Sequence, residues 1–377
     1  MFFLYLFTQL DACAQLVGSP YIPPANSNSP LVSLDPEPST NGTALVSSYT
    51  CNNFAIPFDN ADLVYGIMKV GTPVSGVTQS ITAQVDRGGT YNISTTTANG
   101  VTFSGSGIFT QTGSVTINLI ASGTPTAKGN YTFTINTTPN CDCVKFTSET
   151  GVYASVNGTL TDFATHNLGA NTDLDPTEYV VGVNGTGNDG TLGALYQWGR
   201  TNDGHELRNS ETLPGRLAAP VANKFITVSS GNWLNTNNNT LWSNTKGPND
   251  PCPPGFIVPS RTQWVNTYRV GSLGGNPYSG ANTQPDENTW TWTGNGYFVG
   301  PLLFLPAAGS RIGSSGVLNA NDSGRYWSST TRTGSPGNEV YANVLNFNSA
   351  GHVNLTVGTG LGFADKSTGC SVRCISQ

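Results

Sequence analysis

Charge is what this sequence has least of. Only 10% of its 377 residues are Asp, Glu, Lys or Arg, against roughly 25% in an ordinary soluble protein. Its 16 Lys and Arg stand against 22 Asp and Glu, for a net charge of −6. Phosphate neutralisation needs clustered cations, so nucleic acid is excluded as a partner. No apolar run reaches the ~18 residues of a membrane span. The Ala/Glu/Lys/Leu-rich composition of coiled coils and long bundles is absent too. What the chain does have is 45 Gly, 23 Pro, 10% aromatics and seven Trp. Aromatics at that level build cores, which excludes disorder. The length fits two or three domains of roughly 150 residues. A β-rich, extracellular type of protein remains.

Residues 1–14, which begin Met1-Phe-Phe-Leu-Tyr-Leu-Phe7, resemble the tail of a secretory signal. Ala12-Cys13-Ala14 fits a small-residue cleavage site, and Leu10-Asp-Ala-Cys13 resembles a lipoprotein box. Both readings predict export to the outer cell surface or beyond. Either removes Cys13 from the disulfide pool and leaves six Cys: Cys51, Cys141, Cys143, Cys252, Cys370 and Cys374. Six allow 15 connectivities, and an even set in an exported chain predicts disulfides. Zinc is disfavoured, because Cys141-Asp-Cys143 and Cys370-x3-Cys374 lack paired-ligand spacing and there are only three His.

Residues 15–49 are rich in Pro and Ser and read as an extended arm or linker, with the capacity to lie along a neighbouring molecule. Residues 50–142 alternate with period two. Ser80-Ile-Thr-Ala-Gln-Val85, Thr90-Tyr-Asn-Ile-Ser94, Ser114-Val-Thr-Ile-Asn-Leu-Ile120 and Asn130-Tyr-Thr-Phe-Thr-Ile-Asn136 place β-branched or aromatic residues at every second position. Turns such as Ala98-Asn-Gly100 lie between them. This spacing predicts an antiparallel sandwich. Tyr91-Asn-Ile-Ser-Thr-Thr-Thr, Val101-Thr-Phe-Ser-Gly-Ser-Gly107 and Gly123-Thr-Pro-Thr-Ala127 resemble immunoglobulin-like modules of exported Bacteroidota proteins.

Composition changes at about residue 143. All seven Trp and all three His lie beyond it. Five segments stand out in order: Ala194-Leu-Tyr-Gln-Trp-Gly-Arg200, Asp250-Pro-Cys-Pro-Pro-Gly-Phe-Ile-Val-Pro-Ser-Arg-Thr-Gln-Trp264, Phe304-Leu-Pro-Ala-Ala-Gly-Ser-Arg311, Gly324-Arg-Tyr-Trp-Ser-Ser-Thr330 and Gly369-Cys-Ser-Val-Arg-Cys374. Together they resemble the Fibrobacter succinogenes major paralogous domain, FISUMP, over residues 143–377. That family is similar to the C-type-lectin-like α+β fold and has no settled catalytic activity. The implied fold class is mainly β: an Ig-like sandwich followed by an α+β, C-type-lectin-like domain. The family motifs imply a Cys252–Cys374 bridge. Cys51 and Cys141 flank the sandwich and are expected to pair, which leaves Cys143 with Cys370. Ser260-Arg-Thr-Gln263 reads as a capping box, predicting a short helix after Pro259 that buries Trp264. Trp198, Trp264 and Trp327 read as core, and Ser371-Val-Arg-Cys-Ile375 as a final strand.

The candidate chemistry is sparse. Gly185-Thr-Gly-Asn-Asp-Gly190 satisfies G-x-G-x-x-G, but it lacks a βαβ context and reads as a turn. No nucleophile elbow or H-E-x-x-H occurs, so the expected class is not an enzyme. No cofactor is expected. Calcium is the one ion with candidate ligands, the carboxylates Asp173, Asp175 and Glu178. A weaker candidate is Asn319-Ala-Asn-Asp-Ser-Gly324, with Thr330 where an EF-hand has Glu. Gln284-Pro-Asp286 matches a sugar-binding tripeptide of galactose-type C-type lectins. The expected ligand face is the strand through Tyr341, Asn343, Asn346 and Asn348, with His352, Trp290 and Trp292. Amides that donate and accept, beside flat rings, suit polar ligands. The functional expectation is an exported surface protein that binds a glycan or a host or cell-surface protein. The alternative is a subunit of an extracellular filament, sheath or appendage, assembled with copies of itself through the arm and sandwich.

Overall fold

The computed structural model describes residues 42–55, 57–182, 190–268, 287–319, 323–332, 337–348 and 362–377. The signal-like segment and the arm up to residue 41 lie outside them. The molecule is mainly β, in several small sheets. Among the described residues no helix is long and apolar enough to cross a membrane.

Residues 45–148 form two sheets that face each other. The strands are β1 (Leu45–Cys51), β2 (Met68–Lys69), β3 (Thr78–Arg87), β4 (Gly89–Ser94), β5 (Val101–Phe109), β6 (Gly113–Gly123), β7 (Gly129–Thr134) and β8 (Asp142–Ser148). One sheet has the order β1-β3-β6-β5-β4 and the other β2-β8-β7. Alternation does the work expected of it. Ile81, Ile93, Val101, Phe103 and Leu119 point inward from the first sheet and meet Met68, Phe133 and Cys143 from the second. Ala98-Asn-Gly-Val101 is a two-residue hairpin with Asn99 at φ 48 and Gly100 at φ 76. Both central residues are left-handed, as a type I′ turn requires. Asn99 also ties the sheets together: its Oδ1 accepts from the Thr126 and Ala127 amides, and its Nδ2 donates to Thr147 Oγ1. Because β8 runs to Ser148, the sandwich extends beyond the change in composition near residue 143.

From β8 the chain passes directly into a second set of elements. These are β9 (Tyr153–Val156), β10 (Thr159–Asp162), β11 (Tyr196–Gln197), β12 (Glu211–Pro214), β13 (Lys224–Thr227), β14 (Phe256–Ile257), α1 (Arg261–Tyr268), β15 (Trp290–Trp292), β16 (Gly296–Val299), β17 (Leu303–Pro306), β18 (Ser310–Arg311), β19 (Leu318–Asn319), β20 (Ser323–Thr331), β21 (Tyr341–Asn348), β22 (Gly362–Asp365), β23 (Gly369–Cys370) and β24 (Ile375–Ser376). Of the expected final strand, residues 371–375, only Ile375 is in a strand, and β23 and β24 flank the irregular remainder. The junction with the sandwich is bonded. Ser148 donates to Asp162, and Phe146 meets Tyr153 edge-on at 5.1 Å.

The helix begins where the capping box places it. Gln263 N donates to Ser260 Oγ at 3.1 Å, and Ser260 N donates back to Gln263 Oε1 at 2.8 Å. Sheet β20-β21-β22 is covered on both faces. Leu345 and Phe347 enter one core with Trp264 and Tyr297. Ala342 and Val344 enter another with Trp198, Trp327 and the Cys252–Cys374 disulfide. The tryptophans are joined through the backbone: Trp264 Nε1 donates to Trp327 O (3.1 Å), Trp327 Nε1 to Tyr196 O (2.6 Å) and Trp198 Nε1 to Ser328 O (3.0 Å). These bonds satisfy the indoles that burial would otherwise leave without partners.

Four buried arginines stand in for the secondary structure that this region has little of. Arg208 donates to Gly193 O and Ala308 O, both at 2.8 Å. Arg311 donates to Gly316 O and Ser210 O, Arg200 to Lys224 O and Val221 O, and Arg373 to Ala164 O and Asn167 Oδ1. Each guanidinium spreads its donors over acceptors from different segments of the chain. Burial holds Arg208, Arg311 and Arg373 down at about 10.

Candidate ligand-binding site

A concavity among the described residues lies where the chain leaving β1 meets β15 and β16. Phe58 is 1% exposed and stacks on Tyr153 at 5.6 Å. Thr289 N donates to Phe58 O (3.2 Å) and Gly300 N to Thr289 O (2.8 Å). Gly300, at φ +58, makes this approach feasible, since a Cβ there would stand 2.8 Å from the Phe58 ring. The result is a cavity of about 150 Å³ lined by Asp59, Asn60, Thr289, Thr291, Phe298, Gly300 and Pro301. Strand alternation selects the lining. Thr291 stands opposite Phe298 in the β15–β16 register, on one face. Trp290 and Trp292 occupy the other face and pack against the core around Tyr297 and Phe347. Asp59 Oδ1 accepts from the Ala61 amide at 2.7 Å, which sets the carboxylate at the rim.

The arrangement offers two hydroxyls, an amide, a carboxylate and a half-buried ring. These groups hydrogen-bond in both directions beside one apolar face. The single carboxylate faces no His or Cys within the lining.

The strand expected to carry the ligand face is organised differently. Tyr341 and Asn343 share one face of β21 with Leu345 and Phe347, while Asn346 and Asn348 share the other with Ala342 and Val344. The reason is that β21 is the central strand of a sheet with a core on each side. Asn343 is 7% exposed. Between the pairs Trp327–Val344 and Thr331–Ala342, residues 328–330 of β20 oppose Asn343 alone. Its Nδ2 donates to the Thr330 and Thr331 carbonyls, at 3.0 and 3.2 Å, and so bridges the end of this bulge. Tyr341 packs edge-on against Phe363 at 5.1 Å, below Arg332. Asn346 is half-buried and Asn348 exposed. Trp290 and Trp292 are half-buried core-packing residues, so the structure does not gather these side chains into one surface. His352, Gln284-Pro-Asp286, residues 320–322 and residues 185–189 lie outside the described residues.

Asp173, Asp175 and Glu178 are exposed and do not bring three ligand atoms within 4.8 Å of one another. Asp175 instead accepts from the Thr177 amide and hydroxyl, an Asx turn that lowers its pKa. A tighter group, Asp203, His205 and Glu206, has its ligand atoms within 4.8 Å of one another and is bonded into the surrounding loop. Gln197 N donates to His205 Nε2 at 3.0 Å, so Nδ1 carries the proton and donates it to Asp203 Oδ1 at 2.7 Å. Asp203 Oδ2 accepts from Arg200, and Glu206 Oε2 from the Gly204 amide. Burial opposes ionisation of Asp203 and Glu206, but His205 and Arg200 beside Asp203, and His205 with backbone amides at Glu206, outweigh it and hold both carboxyls below their usual range. These bonds tie residues 197–206 into a locked loop.

Two cysteine expectations are corrected. Cys51 pairs with Cys143, and Cys141 and Cys370 carry free thiols. Cys143 is an inward-facing position of β8, opposite Phe133 in register, whereas Cys141 precedes the strand. Cys370 belongs to the Trp198–Trp327 core and Cys143 to the sandwich core, so they have no route to each other. Burial pushes the Cys370 thiol up to about 12.

Asp59, Asn60, Thr289, Thr291 and Phe298 belong to none of the motifs that mark candidate sites in the sequence. Alternation in Trp290-Thr-Trp292 was the available signal, since it separates Thr291 from both indoles. Nothing local points to the docking of residues 57–60 against β15. The chain matches no protein-family model, no curated protein and no solved structure.

Proposed function

We propose that this is an exported, non-catalytic surface protein that binds a polyhydroxylated ligand, a glycan of a host or neighbouring cell, in the cavity between residues 59–60 and the β15–β16 hairpin. The observation that carries the reading is the lining: hydroxyls, amide and carboxylate around the half-buried Phe298, a combination suited to a sugar's hydroxyls and its apolar face. The Ig-like identity of the sandwich and the FISUMP, C-type-lectin-like identity of the remainder belong to this proposal. The five resembling segments support it, because they are largely buried and supply β11, β14, α1, β18, β20 and β23 of one frame. A family signature made of packing residues allows the ligand surface to vary around it. Two disulfides are compatible with an oxidising location.

Glycan-array binding by the full chain, repeated with Thr291→Arg and Phe298→Ala, tests the site. Binding lost in both variants, with unchanged melting and with Asn346→Ala unaffected, is the expected result. Binding retained in both removes the cavity from the proposal. Long polymers of the native protein under negative stain, with no glycan bound, replace it with the filament-subunit role.

A further inference from the structure

The three cysteines at one end of the sandwich form a reactive arrangement. Cys51 and Cys143 are bonded, and the Cys141 thiol donates to Cys51 Sγ at 3.0 Å. All three sulfurs lie within 4.8 Å of one another. Two of them are already covalently paired, so the group is one thiol in contact with one disulfide rather than a set of metal-binding thiolates. Cys141 is half-buried at the end of the β7–β8 ladder, where its carbonyl accepts from the Ile135 amide at 3.0 Å. Cys143 is 0% exposed, in the core with Met68 and Phe133.

We propose that Cys51, Cys141 and Cys143 are a thiol–disulfide exchange centre in which Cys51 is shared between two alternative partners. Cys141 first loses its proton to solvent. The thiolate attacks Cys51 Sγ, the Cys51–Cys141 bond forms and the Cys51–Cys143 bond breaks. The electron pair leaves on Cys143 Sγ, which takes up a proton. One disulfide and one thiol exist before and after, so no oxidant or reductant is consumed. The sulfurs are already in contact, so the step turns side chains rather than moving strands.

The two forms differ in what the outside can reach. With Cys51–Cys143 closed, the thiol sits at half-buried Cys141, open to a thiol reagent or to a mixed disulfide with another molecule. With Cys51–Cys141 closed, the thiol sits in the core at Cys143 and is latent. Burial, then the neighbouring Asp142, hold the Cys141 thiol above its ordinary value. Tyr49 approaches it from β1, with a phenol that burial also raises. Neither neighbour is a cation that would stabilise the thiolate, so exchange is slow at neutral pH and accelerates in alkali.

The test is disulfide mapping of the full chain, held at pH 9, quenched in acid, alkylated and digested without reduction. Both Cys51–Cys143 and Cys51–Cys141 peptides are expected, with Cys370 alkylated only after denaturation. Cys141→Ser should lose the second linkage and keep the first. Cys143→Ser should shift entirely to Cys51–Cys141 while the sandwich still melts cooperatively. Cys51–Cys143 as the sole linkage of these three in the wild-type protein, with label on Cys141 and none on Cys143, overturns the proposal. That readout needs no variant to fold.

Discussion

Lys145 offers a sign test of the balance between desolvation and cation–π attraction. β8 alternation turns this lysine inward, and it is only 5% exposed. Its ammonium lies 4.6 Å from the Tyr65 ring centroid and 5.3 Å from that of Phe54. Among the described residues it makes no ion pair within 4.0 Å: Asp62, the nearest carboxyl to influence it, spends its oxygens on the Ala55 and Asp59 amides. Burial lowers Lys145 from 10.5 to about 8, and Asp62 recovers only part of that. The unfolded chain therefore binds more protons than the folded one between about pH 8 and 10.5, so stability rises with pH across that window. Holding the charge at pH 7 costs on the order of 3 kcal/mol, since ~1.36 kcal/mol corresponds to each tenfold change in proton affinity between about 10.5 and about 8. Lys145→Met keeps the stem and removes the charge. The expected result at pH 7 is a gain of about 1–3 kcal/mol, since lost ring attraction of about 0.5–2 kcal/mol offsets part of the relief. The gain should shrink toward zero at pH 10.5, where wild-type Lys145 is neutral. Urea melts monitored by circular dichroism at both pH values measure it. An equal loss of stability at pH 7 and 10.5 would refute the reasoning, because it would mean that packing, not charge, decides the site.

Removing the Cys252–Cys374 bridge by changing both residues to Ser should cost about 4–5 kcal/mol. The bridge closes 122 residues of sequence, and loop-closure entropy grows as the logarithm of that length. Denaturant midpoints of the oxidised wild-type and variant proteins check this, and coincident midpoints would contradict it. Asn343→Ala should destabilise by about 1–3 kcal/mol, because it removes the buried amide that donates to the Thr330 and Thr331 carbonyls. A variant that melts like the wild-type protein but loses ligand would return Asn343 to the binding surface.

Much of the fold can be read from short-range pattern because its causes are short-range. Period-two alternation marked strands β3, β4, β6 and β7, since each of these strands has only one face to bury. Ser260-Arg-Thr-Gln263 specified the start of the helix through two bonds that both lie within four residues. Val156-Asn-Gly-Thr159 carries the same hairpin signal as Ala98-Asn-Gly-Val101, and it places the β9–β10 turn with Asn157 at φ 54 and Gly158 at φ 76. The burial of Trp198, Trp264 and Trp327 followed from their size.

Tertiary structure alone decided what depends on a second surface. Alternation in β21 was visible, but its meaning changed once both faces met a core, which turned Asn343 from a solvent-facing amide into the donor for a bulge. Cys141 and Cys143 are two residues apart and chemically identical. Only the pairing of β8 with β7 made Cys143 the inward partner of Cys51. The arginines of three resembling segments, Arg200, Arg311 and Arg373, look like surface charges in sequence. They are buried because loops too irregular for a ladder still need donors for their carbonyls, and that need exists only after those loops are brought together. The cavity is likewise the product of a contact between residues 57–60 and 287–300, more than 200 positions apart, and no local pattern encodes a meeting at that distance.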